Sequence, residues 1–584
     1  MSNSLHHDNK GYEKDESEND RKSSALPDYT VAVIDSAPKI YLPRVIIGNK
    51  VDGNNGQAES STPTYAVDVT AEQASETTDG VPGDGRDTWD NPVEFLLSCI
   101  SMSVGLGNVW RFPGVAARNG GGAFLIPYLH YTFARGRPLY YLEMCMGQFS
   151  RFGQVKVWNM SPIFKGIGYG AITGTIVTVS YYCSLMAITS YFLVASFAKD
   201  LPWSVCDDTD KDYNCTLIGP EICRQLLQAN IDDGLGKLHW KLSLCLVAVW
   251  LLVFFTLVKG VKSSGKVAYF TAIFPYVVLI ILLVRGLTLK GAWEGIKYFI
   301  TPEWSALYKP KVWYAAVSQC FFSLTTAFGP IIMFSSYNPF KQDVYKDALI
   351  ISFVDTFTSL LAGCTVFSSW MTYPQAIAKF GWAPQFFAVM FFLMLLTLGL
   401  GSAASLTGAA ITILCDQFPK WKRWLVTLVV CTSLCLVGLM YVTEGGMLML
   451  DLVDNYGASF IIYVMAMVEC GAISYVYGLS NICDDIEFML GRHVGIYWRV
   501  FAAGYVTGLR SDLYTSMGIH TVATRKAKSL KEKIIEASKP THRWGPQDKQ
   551  LRSEWLAFPR RKAFTTLKEK ISDILGIFLL GVSM

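Results

Sequence analysis

About ten apolar blocks recur along this chain, each of roughly 17–30 residues, the length needed to cross the hydrocarbon layer of a bilayer. They run near residues 93–116, 123–147, 169–197, 242–258, 267–284, 313–336, 348–367, 386–415, 425–442 and 453–478. Lipid offers no partner to a backbone amide or carbonyl, so blocks of this length fold as helices that satisfy themselves. Hydrophobic residues make up 51% of the 584 and charged residues only 17%, too apolar a balance for an ordinary soluble protein. The sequence therefore predicts an all-α polytopic membrane protein. A net charge of +4 is too small to suggest a nucleic-acid partner.

Loop charge sets the orientation. Arg151, Lys156 and Lys165 follow the second block, Lys259, Lys262 and Lys266 the fourth, and Lys420, Lys422 and Arg423 the eighth. These loops belong in the cytoplasm, which also places the N-terminus there. The loop 199–240 then faces outward. It holds the sequon Asn214–Cys215–Thr216 and the nearby pair Cys206 and Cys215, suited to glycosylation and a disulfide in an oxidising space. Asn159 begins another sequon, on the cytoplasmic side. Residues 1–85 are polar, with runs such as "EKDESENDRK", and read as a disordered cytoplasmic tail. The N-terminus shows no apolar core segment, so no cleavable signal peptide is expected.

Two blocks break the rule that a spanning helix is unbroken. The first carries "SMSVGLGNVWRFPG", with Gly105, Gly107, Asn108, Arg111 and Pro113. The sixth carries "QCFFSLTTAFGPIIMF", with Ser323, Thr325, Thr326, Gly329 and Pro330. Four blocks separate them, so they hold matching places in two five-helix halves. Paired interruptions of this kind point to a secondary transporter with its site at the membrane midplane. An unwound segment frees carbonyls for Na⁺, and half-helix N-termini offer amides to a carboxylate. Asn108, Ser323 and carbonyls near Ser101, Ser103 and Val104 are candidate oxygen ligands. For either block alone, close helix packing explains the glycines and hydroxyls as well.

The motifs "GLGNVWRFP", "NGGGAFLIPY", "SYYCSLMA", "QCFFSL", "SSYNPF" and "LGLGSA" are similar, in order and spacing, to those of the neurotransmitter:sodium symporter family. Within it the chain most resembles the insect sodium-dependent nutrient amino acid transporter branch. The resemblance covers roughly residues 86–504. It implies a leucine-transporter-like fold of two inverted five-helix repeats with broken first and sixth helices: a first repeat over 86–284, an extracellular loop over 285–312, a second repeat over 313–480, and a C-terminal region and cytoplasmic tail over 481–584.

The resemblance also implies roles, position by position. Asn108, Ser323 and Asp355, with the Ser103 carbonyl, fall at the first sodium site. Ser101, Val104, Leu398, Gly401 and Ser402 fall at the second. The substrate pocket falls on Ser103, Gly105, Thr178, Tyr182, Phe322, Thr325, Phe328 and Ser402, with the Tyr182 hydroxyl directed to the substrate carboxylate and Phe322 and Phe328 walling the side-chain subsite. Arg111 and Asp454 match an outer gate, and Arg86 and Asp416 an inner one. Chloride ligands would be Tyr128, Gln319, Ser323 and Ser359. Monoamine-carrying members place an aspartate where this chain has Gly105, and glycine leaves room for the carboxylate of a neutral α-amino acid.

The chain departs from the pattern in places. Between Phe367 and Tyr373 only "SSWMT" stands where the family has a long extracellular loop. After Arg499 the sequence is too short and too polar to span twice before "HRWGPQD", so the last two family helices are expected to be missing. Gly401 replaces an aspartate common in animal members, while Asp355 adds a carboxylate where many relatives have asparagine. The reading is a sodium-coupled importer of neutral amino acids at the plasma membrane, with two sodium sites and a weak chloride requirement. No nucleophile–base set or metal-spaced His/Cys cluster suggests an enzyme. The alternatives are a symporter for a glycine-like neurotransmitter and a non-transporting chain that forms hetero-oligomers with full-length relatives.

Overall fold

The first helix begins at Pro92, where chain chemistry favours a start: proline fits the first turn, and the Asn91 side chain accepts a hydrogen bond from the Val93 amide at 2.9 Å. The structure, a computed structural model, describes residues 88–199, 201, 234–289, 291–369, 383–495, 497–498, 538–541 and 543–558. These belong to one unit, Asp79–Met584; the other, Met1–Thr78, lies outside them. Arg86, Cys206, Cys215, Asn214 and the stretch 499–537 also lie outside the described residues.

The described residues trace ten helical passages. The first joins Pro92–Ser103 to Gly107–Arg118 with a bend of 40°. The second joins Gly122–Tyr131 to Arg137–Ser150. The third is Lys165–Ala195, the fourth Trp240–Leu257 and the fifth Val261–Leu287. The sixth joins Pro310–Leu324 to Pro330–Ser335. The seventh is Val344–Ser369 and the eighth Pro384–Gln417. Arg423–Val442 and Gly446–Leu490 complete the series. Seven of these are long and apolar enough on their own to cross a membrane, and the bent first pair makes eight. The other two are the second and the sixth. The second is a continuous helix that widens into a π-helical turn at Thr132–Gly136, which bears Arg135, and the unwound residues 325–329 divide the sixth.

The first and sixth passages lie inside the bundle. The N-terminal half of the first packs on the fifth and eighth, the halves of the sixth pack on the second, and the third packs along the eighth. The third and eighth passages are accordingly 67% and 61% buried, against 39% for the fourth and fifth. The latter turn Leu244, Leu251, Phe255, Phe270 and Ile273 outward, as a lipid-facing surface requires.

Within 285–312, expected as an extracellular loop, Ala292–Ile300 forms a helix. Ala292, Gly295, Ile296 and Phe299 are buried along one helical face, which gives this short segment a surface to pack on. At the other end, residues 538–558 reach back to the bundle. Trp544 Nε1 donates to Tyr477 Oη at 2.9 Å, and Trp555 Nε1 to Asp485 Oδ1 at 2.8 Å. Both indoles pack on Phe149.

Candidate substrate and sodium site

Both expected helix breaks are present. The first passage unwinds after Ser103, with Val104 extended. The amides this frees are taken up nearby: Gly105 N donates to Asn108 Oδ1 and Leu106 N to Tyr182 Oη, both at 3.1 Å. The sixth unwinds after Leu324, with Thr325, Ala327 and Gly329 at φ 56°, 64° and 98°. Its backbone is held from elsewhere. Ala327 N donates to Glu143 Oε1 at 2.7 Å, and Thr175 Oγ1 donates to the Phe328 carbonyl at 2.7 Å. The Gln154 amide, turned to donate, reaches the Phe328 and Gly329 carbonyls at 3.1 and 3.3 Å.

Sequence reasoning missed Glu143, Gln154 and Thr175. Glu143 did leave a signal: a carboxylate in an apolar block is costly and seldom without a task.

Between the two breaks lies an oxygen-rich cluster. Asn108 Nδ2 has Asp355 Oδ1 at 2.7 Å, Ser323 Oγ at 2.9 Å, Ser359 Oγ at 3.0 Å and the Asp355 carbonyl at 3.3 Å. An amide has two hydrogens, so four oxygens exceed what it can satisfy. Ser323 Oγ lies 2.9 and 3.0 Å from the two carboxylate oxygens of Asp355. Asn108 and Asp355 are fully buried, and no cationic side chain among the described residues forms an ion pair with Asp355. A buried carboxylate amid surplus hard oxygens is a donor set that fits a small cation.

Tyr128 and Gln319 join the edge of this cluster. Tyr128 Oη donates to Ser359 Oγ at 3.3 Å, and Gln319 Nε2 to the Gly107 carbonyl at 3.1 Å.

A second group forms where the first passage crosses the eighth. Ser402 Oγ donates to the Met102 carbonyl at 2.9 Å. Leu398, Val104 and Ser101 are buried in the same neighbourhood. A β-carbon added to Gly401 would stand 2.5 Å from the Ser101 carbonyl, so glycine is what lets these backbones meet.

All eight predicted pocket residues line one cavity. Ser103, Gly105, Thr178 and Tyr182 face Phe322, Thr325, Phe328 and Ser402, and Asn108, Ser323 and Leu406 complete the lining. The two phenylalanine rings meet edge to face at 6.3 Å. A β-carbon at Gly105 would sit 2.4 Å from Ser402 Oγ and 2.8 Å from Tyr182 Oη, so no side chain fits there. Polar groups at one end and aromatic walls at the other suit a small zwitterion with an apolar tail.

The proposed outer gate pair is in contact. Arg111 Nη1 meets Asp454 Oδ1 at 3.3 Å, and Tyr181 Oη donates to the same oxygen at 2.7 Å. The Arg111 guanidinium also lies 4.3 Å from the Phe322 ring centroid, which lids the cavity. Asp416 ends the eighth passage, where Lys156 Nζ donates to its carbonyl.

Two broken helices, crossing at a buried oxygen cluster beside an aromatic-walled cavity, are the architecture of a secondary transporter. The structure is similar to that of MhsT in complex with L-phenylalanine, with a TM-score of 0.62 at 22% identity, covering 72% of this chain and 97% of that one. That likeness establishes the leucine-transporter-like fold. The family model described as the sodium:neurotransmitter symporter family matches residues 86–224, 221–371 and 369–526, and the chain belongs to that family. It is 41% identical to sodium-dependent nutrient amino acid transporter 1 of Drosophila grimshawi, over 84% of this chain and 92% of the relative. The Drosophila melanogaster protein of that name is 42% identical with the same coverage. These alignments run to 588 and 596 residues while using 84% of a 584-residue chain, so each relative carries segments that this chain steps over. The second and third family segments meet at 369–371, beside the shortened "SSWMT" loop.

Proposed function

We propose that this chain imports neutral amino acids across the plasma membrane, driven by sodium. The observation that carries the reading is the Asn108–Ser323–Asp355 cluster abutting the cavity at Gly105. A carboxylate at this depth needs a positive partner, and Na⁺ entering as cargo supplies it. Asn108, Ser323, Asp355 and the Ser103 carbonyl would hold one ion; Ser402 with the Ser101, Val104 and Leu398 carbonyls would hold a second. Membership of a sodium symporter family and the relatives' names support this assignment.

The residues then divide the work. Gly105 leaves the substrate carboxylate room beside the first ion, and the Tyr182 hydroxyl is free to donate to it while accepting from Leu106 N. Phe322 and Phe328 receive the side chain. Arg111, Asp454 and Tyr181 close the outward route over the ring of Phe322, so substrate seated below is sealed from that side. Arg86 and Asp416 would do the same inward. Asp355 supplies the negative charge that a chloride ion would otherwise bring, and it takes the Ser323 hydroxyl as a donor, which supports a weak chloride requirement.

Uptake of a panel of labelled amino acids, with sodium present or replaced by choline, tests the reading. Sodium-dependent uptake of neutral amino acids is the expected result. Surface expression without any uptake, together with changed transport by a co-expressed full-length relative, would instead favour the non-transporting role.

A further inference from the structure

The crossing of the first and eighth passages holds an exchange of side chains. A β-carbon built at Gly401 falls 2.0 Å from Ser101 Oγ. The serine hydroxyl therefore occupies the space into which a side chain at 401 would project. Its own setting is specific. Ser101 Oγ lies 2.7 Å from Thr271 Oγ1 of the fifth passage, and Thr271 Oγ1 lies 3.2 Å from the Val267 carbonyl one turn earlier. Ser101 and Thr271 are 3% and 2% exposed.

A hydroxyl has one hydrogen and two lone pairs. The Val267 carbonyl can only accept, so the Thr271 hydrogen has two acceptors in reach, Val267 and Ser101. Whichever hydroxyl donates across the 2.7 Å contact, the Ser101 oxygen keeps at least one lone pair. Ser402 also keeps its lone pairs, because its hydrogen goes to the Met102 carbonyl. Both hydroxyl oxygens thus retain accepting capacity. The buried Ser98 hydroxyl, which has no hydrogen-bond partner, lines the same cavity as Ser101, Thr271 and Gly401.

We infer that the Ser101 hydroxyl is a sodium ligand standing in for the side chain that position 401 lacks, and that Thr271 positions it. The inference rests on the proposed sodium coupling and adds to it a side-chain oxygen and a positioning residue. Hydroxyl and carbonyl oxygens are the hard donors that Na⁺ takes. Drawing the ligand from the first passage, with its support on the fifth, ties the ion to the half-helix Pro92–Ser103. The site has no carboxylate, so it holds its ion less tightly than the Asp355 cluster.

The test uses the full chain, purified for binding of radioactive sodium and for sodium-dependent shifts in unfolding temperature, and expressed in cells for uptake. Thr271→Val keeps the shape and removes the hydrogen-bond partner of Ser101; sodium affinity is expected to fall roughly tenfold, the scale for loss of an outer-shell partner. Thr271→Ser should restore it, whereas a purely structural role would alter unfolding equally with and without sodium. Ser101→Ala should weaken binding at least as much. Unchanged sodium binding in Ser101→Ala and Thr271→Val, with the parent protein binding normally, would overturn the inference alone. Failure of the parent protein to bind sodium would overturn the sodium coupling on which it rests.

Discussion

The first passage unwinds over residues 104–106 and the sixth over residues 325–329. The first break contains no residue with positive φ, and its freed amides go to Asn108, on the next turn, and to one tyrosine. The sixth has three positive-φ residues, two of them not glycine, a conformation costing on the order of 1–3 kcal/mol at each non-glycine residue. It stands because Glu143, Gln154 and Thr175, from the second and third passages and the segment between them, hold its amide and carbonyls. One break is thus written largely in its own sequence, while the other depends on side chains from elsewhere in the fold. Changes near the first should act on ligands, and changes remote from the sixth should act on the backbone.

The largest effect is expected at the first break. Gly105→Asp drives a β-carbon into Ser402 Oγ and Tyr182 Oη and sets a carboxylate against that of the substrate. At about 4 Å the repulsion is on the order of 4 kcal/mol at an effective dielectric near 20, close to a thousandfold in affinity. Uptake at equal surface level should vanish. Retained uptake would move the pocket away from this break.

The sixth break is tested from a distance. Glu143→Ala removes the acceptor for Ala327 N and leaves a buried amide unpaired, at a cost of about 1–3 kcal/mol. Lower unfolding temperature and a fall in maximal uptake should appear together, although Glu143 does not line the cavity. Glu143→Gln keeps an acceptor and should recover most of the loss. Equal behaviour of the two variants would show that the sixth break does not lean on this bond.

Asn108→Ala returns to the first break and should spare stability more than sodium dependence. One lost oxygen ligand corresponds to about 1.4 kcal/mol, so half-saturating sodium should rise roughly tenfold. An unchanged sodium curve would remove Asn108 from the ion site and leave it a role only in holding Gly105.

The same contrast explains what could be read from the sequence. Glycine and proline mark both breaks directly, the buried Asn108 marks the first, and the ten passages follow from block length. The cavity lining and outer gate pair, placed by resemblance to one family, come together in the structure. What escaped was support arriving from distant segments. Gln154 sits in a polar stretch after the second passage, and Thr175 and Thr271 look like ordinary hydroxyls in apolar helices, where most such residues bond their own backbone. Only the fold shows that Thr175 reaches Phe328, 153 positions away, and that Thr271 meets Ser101 across the helix crossing.

The smallest effect separates the two breaks by charge. The cluster that joins them contains Asp355, whereas the crossing at Ser101 and Gly401 contains no carboxylate. With asparagine at position 355, a sodium ion held in this cluster would need another anion beside it, because uncompensated charge in a dry site is costly. Here Asp355 lies one turn before Ser359 on the seventh passage, and both contact Asn108 Nδ2. Ser323 lies within hydrogen-bonding distance of both Asp355 carboxylate oxygens, and Tyr128 donates to Ser359, so groups suited to chloride are already engaged. Replacing chloride with gluconate should therefore change uptake by less than about twofold, the scale of a fraction of 1 kcal/mol. Asp355→Asn reverses the sign. The carboxylate is gone, the Ser323 hydroxyl is released, and the sodium cluster again lacks a negative charge. That variant should transport poorly in gluconate and recover when chloride is restored, with half-saturating sodium falling as chloride rises. A strong chloride requirement in the parent protein, or none in Asp355→Asn, would mean that the charge beside the first sodium comes from another group.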